Sequence, residues 1–404
     1  MRIVVTVPWG ERLGGAEMNL QTVVDRSRAF GHEIELVFFA DGSWPKRLAD
    51  SGFSVTVIEA GRLRDMHRWV ATVARLARLL RHRQPDIIVN WIGKTQLYGS
   101  PAAVLAGMAD RNVWWQREMP SGGWLDRLAT ACPAVAIGCS SGAVAKAQSR
   151  LPPKRPIFVV HPGTRVNCGT IPAPPLKLPK GVPIIGMVGR LQPWKGQDRL
   201  LSAHAILRDR GHHIHTLIIG GDAHELSLEY AASLPSLIDE LQLNGLVTMT
   251  GQVDDARPYI RNMDILVNAS DPEPFGIVLL EGMAAAVPVV AVDSGGPAEF
   301  LEDGRTGVLA RSGEPNDLAD ALEPLVASPE LRKRLGDAGH EQFLAEFTEA
   351  AMCHRFFDQL ERLVQRHAST PRDGRAGTPS HPQTAALGQQ QDPAGVDDSG
   401  AAPQ

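Results

Sequence analysis

The chain has 404 residues, of which 43% are hydrophobic and 21% are charged. Its 41 basic and 45 acidic residues nearly balance, which argues against a general nucleic-acid-binding surface. No stretch approaches the ~20 apolar residues of a membrane-spanning helix, and no cysteine pair has CxxC spacing. We therefore expect a cytoplasmic protein of two or three domains, without a zinc site or a disulfide framework.

Short β-branched runs alternate with helical patterns over residues 1–168. The runs predict strands near Ile3–Val7, Ile34–Phe39, Val55–Ile58, Ile87–Asn90, Val113–Trp115, Val135–Ile137 and Ile157–Val160. Amphipathic patterns predict helices from about Gly15 to Phe30 and from Arg68 to Arg83. Strands that are apolar throughout and alternate with helices indicate a doubly wound parallel sheet covered on both faces.

The second half repeats this plan over residues 184–345. Its predicted strands lie near Ile184–Val188, His215–Ile219, Val247–Thr250, Ile265–Asn268, Val289–Val292 and Gly307–Leu309. The proline-rich segment 169–183 predicts a linker between two α/β domains. We expect residues 346–366 to form a helix that packs on the body, and the polar tail 367–404 to be disordered.

The stretch "DPEPFGIVLLEGMAAA" places two glutamates, Glu273 and Glu281, around the start of a helix that follows a buried strand. We expect that helix to begin near Phe275 or Gly276. Ligands of open α/β sheets bind beyond the carboxyl ends of the strands, where helix N-termini attract anionic or hydroxyl-rich groups. An N-capping glutamate followed by a solvated one would give the same pattern, so the spacing alone leaves both interpretations open.

Other loops at strand ends favour a binding site. Gly189 and Arg190 end one strand, and Lys195 begins the next helix, so the two cations can converge on a pyrophosphate. Further loops carry glycines or accessible main-chain groups at Gly14, Gly15, Gly221, Gly251 and Val253. The pattern around Gly14 is not GxGxxG, so a nicotinamide cofactor is not indicated.

These motifs together carry a resemblance to a known family. "GGAE" (14–17), "HPG" (161–163), "VGRLQPWKG" (188–196), "GGD" (220–222), "GQV" (251–253) and the stretch from Glu273 to Phe300 follow one another in the chain. Their order and spacing resemble retaining GT-B glycosyltransferases of the GT4 type over roughly residues 1 to 365. The resemblance implies two Rossmann-like domains facing a central cleft.

The resemblance also implies residue roles. Arg190 and Lys195 would hold the diphosphate of a nucleotide-sugar donor, Glu273 its hexose and Glu281 its ribose. The remaining donor contacts would come from Gly14, Gly15, Gly189, Gly221, Gly251, Val253, Phe275, Gly276 and Ile277. The N-terminal domain would bind a hydroxyl acceptor, a glycan or lipid-linked sugar. The absence of a DxD motif fits a family that needs no metal, and no other cofactor is implied.

Two positions depart from the family pattern. Gln116 stands where many relatives have a histidine facing the donor sugar, and glutamine cannot exchange protons near neutral pH. Glu118, two residues later, is a candidate replacement on the acceptor side. Ala286 occupies a position where glycine is usual.

Two groups of residues remain open to either of two interpretations. The first contains the tryptophans at N-terminal strand ends, which suit either sugar stacking or core packing: Trp9, Trp91, Trp114, Trp115 and Trp124. The second contains arginines that suit either peripheral contact with the inner membrane surface or a solvated helix face: Arg62, Arg64, Arg68, Arg75, Arg78, Arg81 and Arg83.

The resulting prediction is a retaining hexosyltransferase of polysaccharide or glycolipid biosynthesis. A nucleotide-sugar epimerase or hydrolase of the same fold and a catalytically silent sugar-binding subunit are the alternatives.

Overall fold

The computed structural model describes residues 1–12, 14–166, 176–222 and 227–369. Two parallel β-sheets form its framework. The first has the strand order β3-β2-β1-β4-β5-β6-β7. Its strands are β1 (Arg2–Val7), β2 (Glu33–Phe38), β3 (Ser54–Val57), β4 (Ile87–Trp91), β5 (Asn112–Gln116), β6 (Ala136–Cys139) and β7 (Ile157–Val159). Within this sheet, Val5 of β1 pairs with Leu36 of β2 on one side and with Val89 of β4 on the other.

Helices cover both faces of this sheet. They are α1 (Gly15–Ser27), α2 (Ser43–Asp50), α3 (Met66–Arg83), α4 (Gly93–Ala106), α5 (Trp124–Ala131) and α6 (Gly142–Gln148). One core joins the sheet to α1 and α2, through residues such as Leu20 and Trp44. On the opposite face, α3 and α4 share a second core, and α4, α5 and α6 share a third.

The second sheet has the strand order β10-β9-β8-β11-β12-β13. Its strands are β8 (Ile184–Val188), β9 (His215–Ile219), β10 (Val247–Met249), β11 (Ile265–Asn268), β12 (Val289–Val292) and β13 (Val308–Ala310). The helices around it are α7 (Gln197–Asp209), α8 (Leu228–Glu240), α9 (Arg257–Ile260), α10 (Ile277–Ala284), α11 (Pro315–Ala327) and α12 (Pro329–Glu346).

The last helix, α13 (Glu349–Ser369), returns to the first domain. Its residues Phe356, Phe357 and Leu360 are buried in the same core as β1 and α1. Just before it, the chain crosses between the domains. There the N–H of Thr164 donates to the carbonyl of Phe347, and the N–H of Glu349 donates to the carbonyl of Thr164. The C-terminal helix therefore packs on the N-terminal domain, not on the domain that precedes it in sequence.

The prediction of two doubly wound parallel sheets is confirmed. Most strand ends agree with the sequence pattern to within one or two residues, because buried parallel strands are uniformly apolar. Part of the predicted linker (169–175) and most of the predicted tail (370–404) lie outside the described residues. Among the described residues, no helix combines the length and apolarity needed to cross a membrane.

Candidate active site

The strand order of each sheet reverses at one point, and the candidate site lies where the two reversals face each other. In the first sheet the reversal falls between β1 and β4, and in the second between β8 and β11. Ligands of open α/β sheets bind at such points. The domains meet beside this crevice: Ser141 Oγ donates to the carbonyl of Pro274 at 2.6 Å.

Lys195 and Glu273 form an ion pair within the crevice. Lys195 ends a short 3₁₀ turn after β8, and Glu273 follows β11. The Nζ–Oε2 distance is 2.9 Å, and only 18% and 8% of the two side chains are exposed. Asn268 Nδ2 also donates to Glu273 Oε2, at 3.2 Å. Burial raises the pKa of Glu273, but Lys195 and these hydrogen bonds outweigh it, so the pKa is lowered and the carboxylate is ionised.

The loops after β8, β9 and β10 lie against one another. Gly189 N–H donates to the carbonyl of Ile219 at 2.9 Å, and Gly220 N–H donates to that of Gly251 at 3.0 Å. Gly220 has φ +142°, and a side chain there would collide with the Gly189 carbonyl, so only glycine allows this approach. The structure thus brings together the predicted residues Gly189, Arg190, Gly221 and Gly251, with the half-buried Arg190 at the rim.

The N-termini of α1 and α10 face each other across the domains. Helix α10 begins at Ile277, one or two residues after the predicted start, because Gly276 has φ +94° and acts as its N-cap. A Cβ on Gly15 would lie 2.7 Å from Ile277 Cδ1. Phe275 is buried, and its ring stacks on that of Phe300 with a centroid distance of 4.9 Å. Phe275 can therefore offer a ligand only its backbone, which is the group that the family resemblance implies; the ligand contact itself stays a prediction.

Glu281 lies on the first turns of α10 and is partly exposed. Burial raises its pKa to about 7, with the nearby Asp255 carboxylate adding to the rise and Arg257 opposing it. Asp255 lies in the loop that also carries Val253, and Arg257 begins α9 directly after it, so the structure places Glu281 near that predicted contact. No hydrogen bond within the described residues involves the Glu281 carboxylate, which leaves it available to a ligand.

Gln116 and Glu118 differ in their surroundings. The side chain of Gln116 is buried, and its Oε1 accepts the backbone N–H of Arg117 at 3.1 Å. Glu118 is exposed, and its pKa is raised because the surrounding protein displaces water from its carboxyl group. Arg190 of the other domain opposes this rise, and Glu17 adds to it. Glu118 is therefore close enough to Arg190 of the other domain to interact with its charge, whereas Gln116 is turned towards its own backbone.

Some residues at the crevice were not predicted from the sequence. Glu299 Oε2 accepts the N–H of Gly142 at 2.7 Å and contacts His161 Nε2 at 3.2 Å, both from the other domain. Arg117 is buried, donates to Asn19 Oδ1 at 2.7 Å, and has its pKa lowered to about 10 by burial. The "GGPAEF" and "HPG" motifs signalled the positions of Glu299 and His161, but not their contact.

The tryptophans divide between the two interpretations. Trp91, Trp114 and Trp115 are each 1% exposed and belong to the core, whereas Trp9 is 38% and Trp124 71% exposed. Core packing is therefore correct for three of the five.

Within the described residues, no group of three or more His, Cys, Asp or Glu side chains could hold a metal ion; a reaction without metal stays a prediction.

Comparison with known proteins adds an independent view. A family model described as glycosyl transferases group 1 matches residues 173–342. Lipopolysaccharide core biosynthesis glycosyltransferase LpsE of Rhizobium meliloti is 32% identical over 55% of this chain and 63% of its own length. Alpha-maltose-1-phosphate synthase of Mycolicibacterium smegmatis is 31% identical over 66% of this chain and 74% of its own length. The matches to the first three curated relatives span from 41% to 63% of those relatives' lengths.

Solved structures extend the likeness to both domains. HepE of Anabaena, solved in complex with UDP, superposes with a TM-score of 0.76 and 22% identity over 90% of this chain and 100% of that chain. At this identity the likeness shows the fold alone, and it confirms the predicted GT-B architecture.

Proposed function

Because the chain belongs to the group 1 glycosyltransferase family, we propose that it transfers a hexosyl unit from a nucleotide diphosphate sugar to an acceptor hydroxyl. The transfer retains the configuration of the sugar and serves polysaccharide or glycolipid assembly. The occurrence of LpsE, a lipopolysaccharide core glycosyltransferase, among the relatives supports this glycan role.

The observation that carries the proposal is the Lys195–Glu273 pair at the crevice. A leaving nucleoside diphosphate gains negative charge as the glycosidic bond breaks, and fixed cations stabilise that charge. Lys195, whose Nζ lies 2.9 Å from Glu273, is held in place by the carboxylate. Arg190, in the same loop, adds a guanidinium group that can donate two hydrogen bonds to a phosphate.

The other residues at the crevice serve binding. Glu273 and the backbone of Phe275, Gly276 and Ile277 hold the hexose hydroxyls, and Glu281 holds the ribose. Among the described residues at the crevice, no side chain is an evident covalent nucleophile, so the acceptor attacks from the face that the diphosphate leaves. The acceptor proton passes to the departing phosphate oxygen.

The donor is tested first. We will measure the melting temperature with UDP-, GDP- and ADP-glucose; a donor at 100 times its Kd adds about 2.7 kcal/mol of stability. UDP-glucose comes first because HepE was also solved with it. The transfer product is then analysed by NMR for its anomeric configuration.

Several outcomes would contradict the proposal. A panel without any thermal shift argues against a nucleotide-sugar site, and an inverted product argues against retention. An epimer formed from the donor alone favours the epimerase alternative. Donor binding with no transfer, hydrolysis or epimerisation favours the silent sugar-binding subunit.

We also propose that the enzyme contacts anionic lipid through one surface of its N-terminal domain. This basic-apolar face consists of the outer sides of α3, α4 and α5 and of the loop that precedes α3. Its exposed apolar side chains are Met66, Val70, Val104, Leu105, Trp124, Leu125 and Leu128. Its exposed arginines are Arg62, Arg64, Arg68, Arg75, Arg78, Arg81, Arg83 and Arg127. Apolar side chains within a basic surface are typical of peripheral membrane binding.

Vesicle sedimentation tests this contact. We expect binding to phosphatidylcholine vesicles with about 30% anionic lipid, weakened by salt and by the double substitution Arg75→Glu and Arg78→Glu. The matched control, Lys333→Glu with Arg334→Glu on α12, makes the same charge change on exposed residues of the other domain. Equal sedimentation of the two double variants would argue against the basic-apolar face.

A further inference from the structure

Trp9 and Lys94 meet at the strand-order reversal of the N-terminal sheet. Trp9 follows β1, and Lys94 is the second residue of α4, directly after β4. Because β1 pairs in parallel with β4, both loops lie at the carboxyl edge of the sheet. The Lys94 Nζ lies 4.9 Å from the centroid of the Trp9 ring. This is the N-terminal counterpart of the point where Lys195 and Glu273 meet, and such points bind ligands.

Among the described residues, no carboxylate pairs with the charge on Lys94. The residue is half-buried, and across the described ranges it forms no ion pair with a carboxylate. A carboxylate of the Trp9 loop, Glu11, is already engaged, since it accepts the N–H of Ser43 at 2.7 Å. Burial lowers the pKa of Lys94. Contact with an indole ring offsets only part of the cost of moving an ammonium group out of water.

The backbone before Lys94 is strained. Ile92 has φ +74° and ψ 162°, a conformation that is rare for any residue with a side chain and rarer for a β-branched one. Its N–H donates to the carbonyl of Trp115 at 2.9 Å, and its carbonyl accepts the Thr95 hydroxyl at 2.9 Å. These contacts hold the first turn of α4, and with it Lys94, in a fixed position.

We propose that Lys94 and Trp9 form an acceptor subsite that binds an anionic group, a phosphate or a carboxylate, carried by the acceptor sugar. This inference rests on the proposed function, whose acceptor it narrows to an acidic or phosphorylated glycan. The donor diphosphate is served by Arg190 and Lys195 of the other domain, so it does not require Lys94. A ligand anion supplies the counter-charge that Lys94 lacks within the described part of the chain, and the partly exposed indole contacts the sugar ring.

The test compares matched sugars that differ in charge. Titration calorimetry measures the binding of glucose 6-phosphate against glucose, and of galacturonate against galactose, to the wild type and to Lys94→Gln and Lys94→Arg. We expect the wild type to bind at least one anionic member about tenfold more tightly than its neutral partner. Lys94→Gln removes this preference, and Lys94→Arg keeps it. Lys146→Gln, which changes an exposed lysine of α6, leaves it intact.

Three results would overturn the inference: equal binding of both members in both pairs, a preference that survives Lys94→Gln, or a preference that Lys146→Gln also removes. Circular dichroism and the melting temperature establish that each variant is folded.

The donor panel is run on the same variants and separates this inference from the proposed function. We expect the nucleotide-sugar thermal shift to be unchanged in Lys94→Gln. Loss of that shift in Lys94→Gln alone would place Lys94 on the donor diphosphate and overturn the inference. If no nucleotide sugar shifts the melting temperature of the wild type or of any variant, the proposed function is contradicted. The preference for charged sugars is measured without donor, so its outcome is judged separately.

Discussion

The carboxylate of Glu299 accepts the backbone N–H of Gly142 across the domain boundary at a distance of 2.7 Å. The same carboxylate accepts the N–H of Ala143 at 2.5 Å and contacts His161 at 3.2 Å. Burial raises the pKa of Glu299, but these hydrogen bonds outweigh it and lower the pKa. One side chain of the C-terminal domain thus joins a helix and a strand end of the other domain beside the crevice.

Replacing Glu299 by Gln should weaken the contact between the two domains. The amide keeps the shape but loses the charge, and hydrogen bonds to a charged group contribute about 1.5–3 kcal/mol. We expect a larger radius of gyration in small-angle scattering and a donor KM raised about fivefold. The control is Glu240→Gln, an exposed glutamate of α8. Unchanged scattering and an unchanged KM in Glu299→Gln would show that other contacts hold the domains together.

Lys195→Met should lower kcat by about 100-fold, because the departing diphosphate loses a fixed cation. It also leaves the Glu273 carboxylate buried and without its cation, so we expect the free energy of unfolding to fall by about 2–3 kcal/mol. Adding Glu273→Gln should restore stability but not activity. Lys333→Met, which breaks an exposed pair with Asp337, should change stability by less than about 0.5 kcal/mol. Wild-type kcat in Lys195→Met would refute the assigned role.

The separate parts of this pair, but not the pair itself, could be predicted from the sequence. Strand patterns place Lys195 and Glu273 at the carboxyl ends of their strands, because parallel strands are continuous apolar runs. The contact joins residues 78 positions apart, and only the sheet order brings their loops together. Glu299 was missed because its main partners are backbone groups, which leave no pattern of residue types. The family resemblance puts Gln116 at a position on the sugar side, and a sugar contact there stays a prediction; in the structure its amide oxygen accepts the N–H of the neighbouring Arg117.

Glu281→Gln should stabilise the protein at pH 8 and have little effect at pH 4. The pKa of Glu281 is raised to about 7, so the folded state holds its proton more tightly than the unfolded chain. Its contribution to stability is therefore present below about pH 4.5 and lost as the pH rises to 7. Because the side chain is partly exposed, we expect a gain of only about 1–2 kcal/mol in urea unfolding at pH 8.

The same substitution should raise the donor KM, because a ribose contact weakens. A variant that is less stable at pH 8 would contradict the raised pKa. A variant with an unchanged donor KM would contradict the ribose contact.

His204 should make the C-terminal domain sensitive to acid. It is 1% exposed, and burial, with smaller effects of His215 and Arg208, lowers its pKa to about 4. The unfolded chain binds this proton below about pH 6.5 and the folded state only below about 4, so stability falls between these values. We expect a loss of about 2 kcal/mol between pH 7 and pH 5.

Urea unfolding at the two pH values tests the effect of His204. Substituting Gln for His204 should remove that part of the loss, whereas His213→Gln, on an exposed histidine, should not. Equal pH dependence in the two variants would contradict this assignment.

Ala286→Gly should stabilise the protein. Ala286 has φ +55°, a left-handed backbone conformation that glycine adopts without strain. Left-handed backbone costs a residue with a side chain about 1–2 kcal/mol, and the greater freedom of glycine in the unfolded chain offsets part of the gain. We expect a net gain of about 0.5–1 kcal/mol. Ala285→Gly, at φ −93°, should lose a similar amount. A loss in both variants would contradict the strain.

Helix α13 follows the C-terminal domain in sequence but is part of the N-terminal domain in space. The second domain ends at α12, yet the hydrophobic interior of the first is completed by Phe356, Phe357 and Leu360 from the far end of the chain. Chimeras that exchange halves between related enzymes must therefore carry this helix with the front half, not the back. A chimera joined only at the midpoint of the chain would leave the N-terminal domain without part of its hydrophobic core. The C-terminal domain would then carry an amphipathic helix that has no surface to pack on.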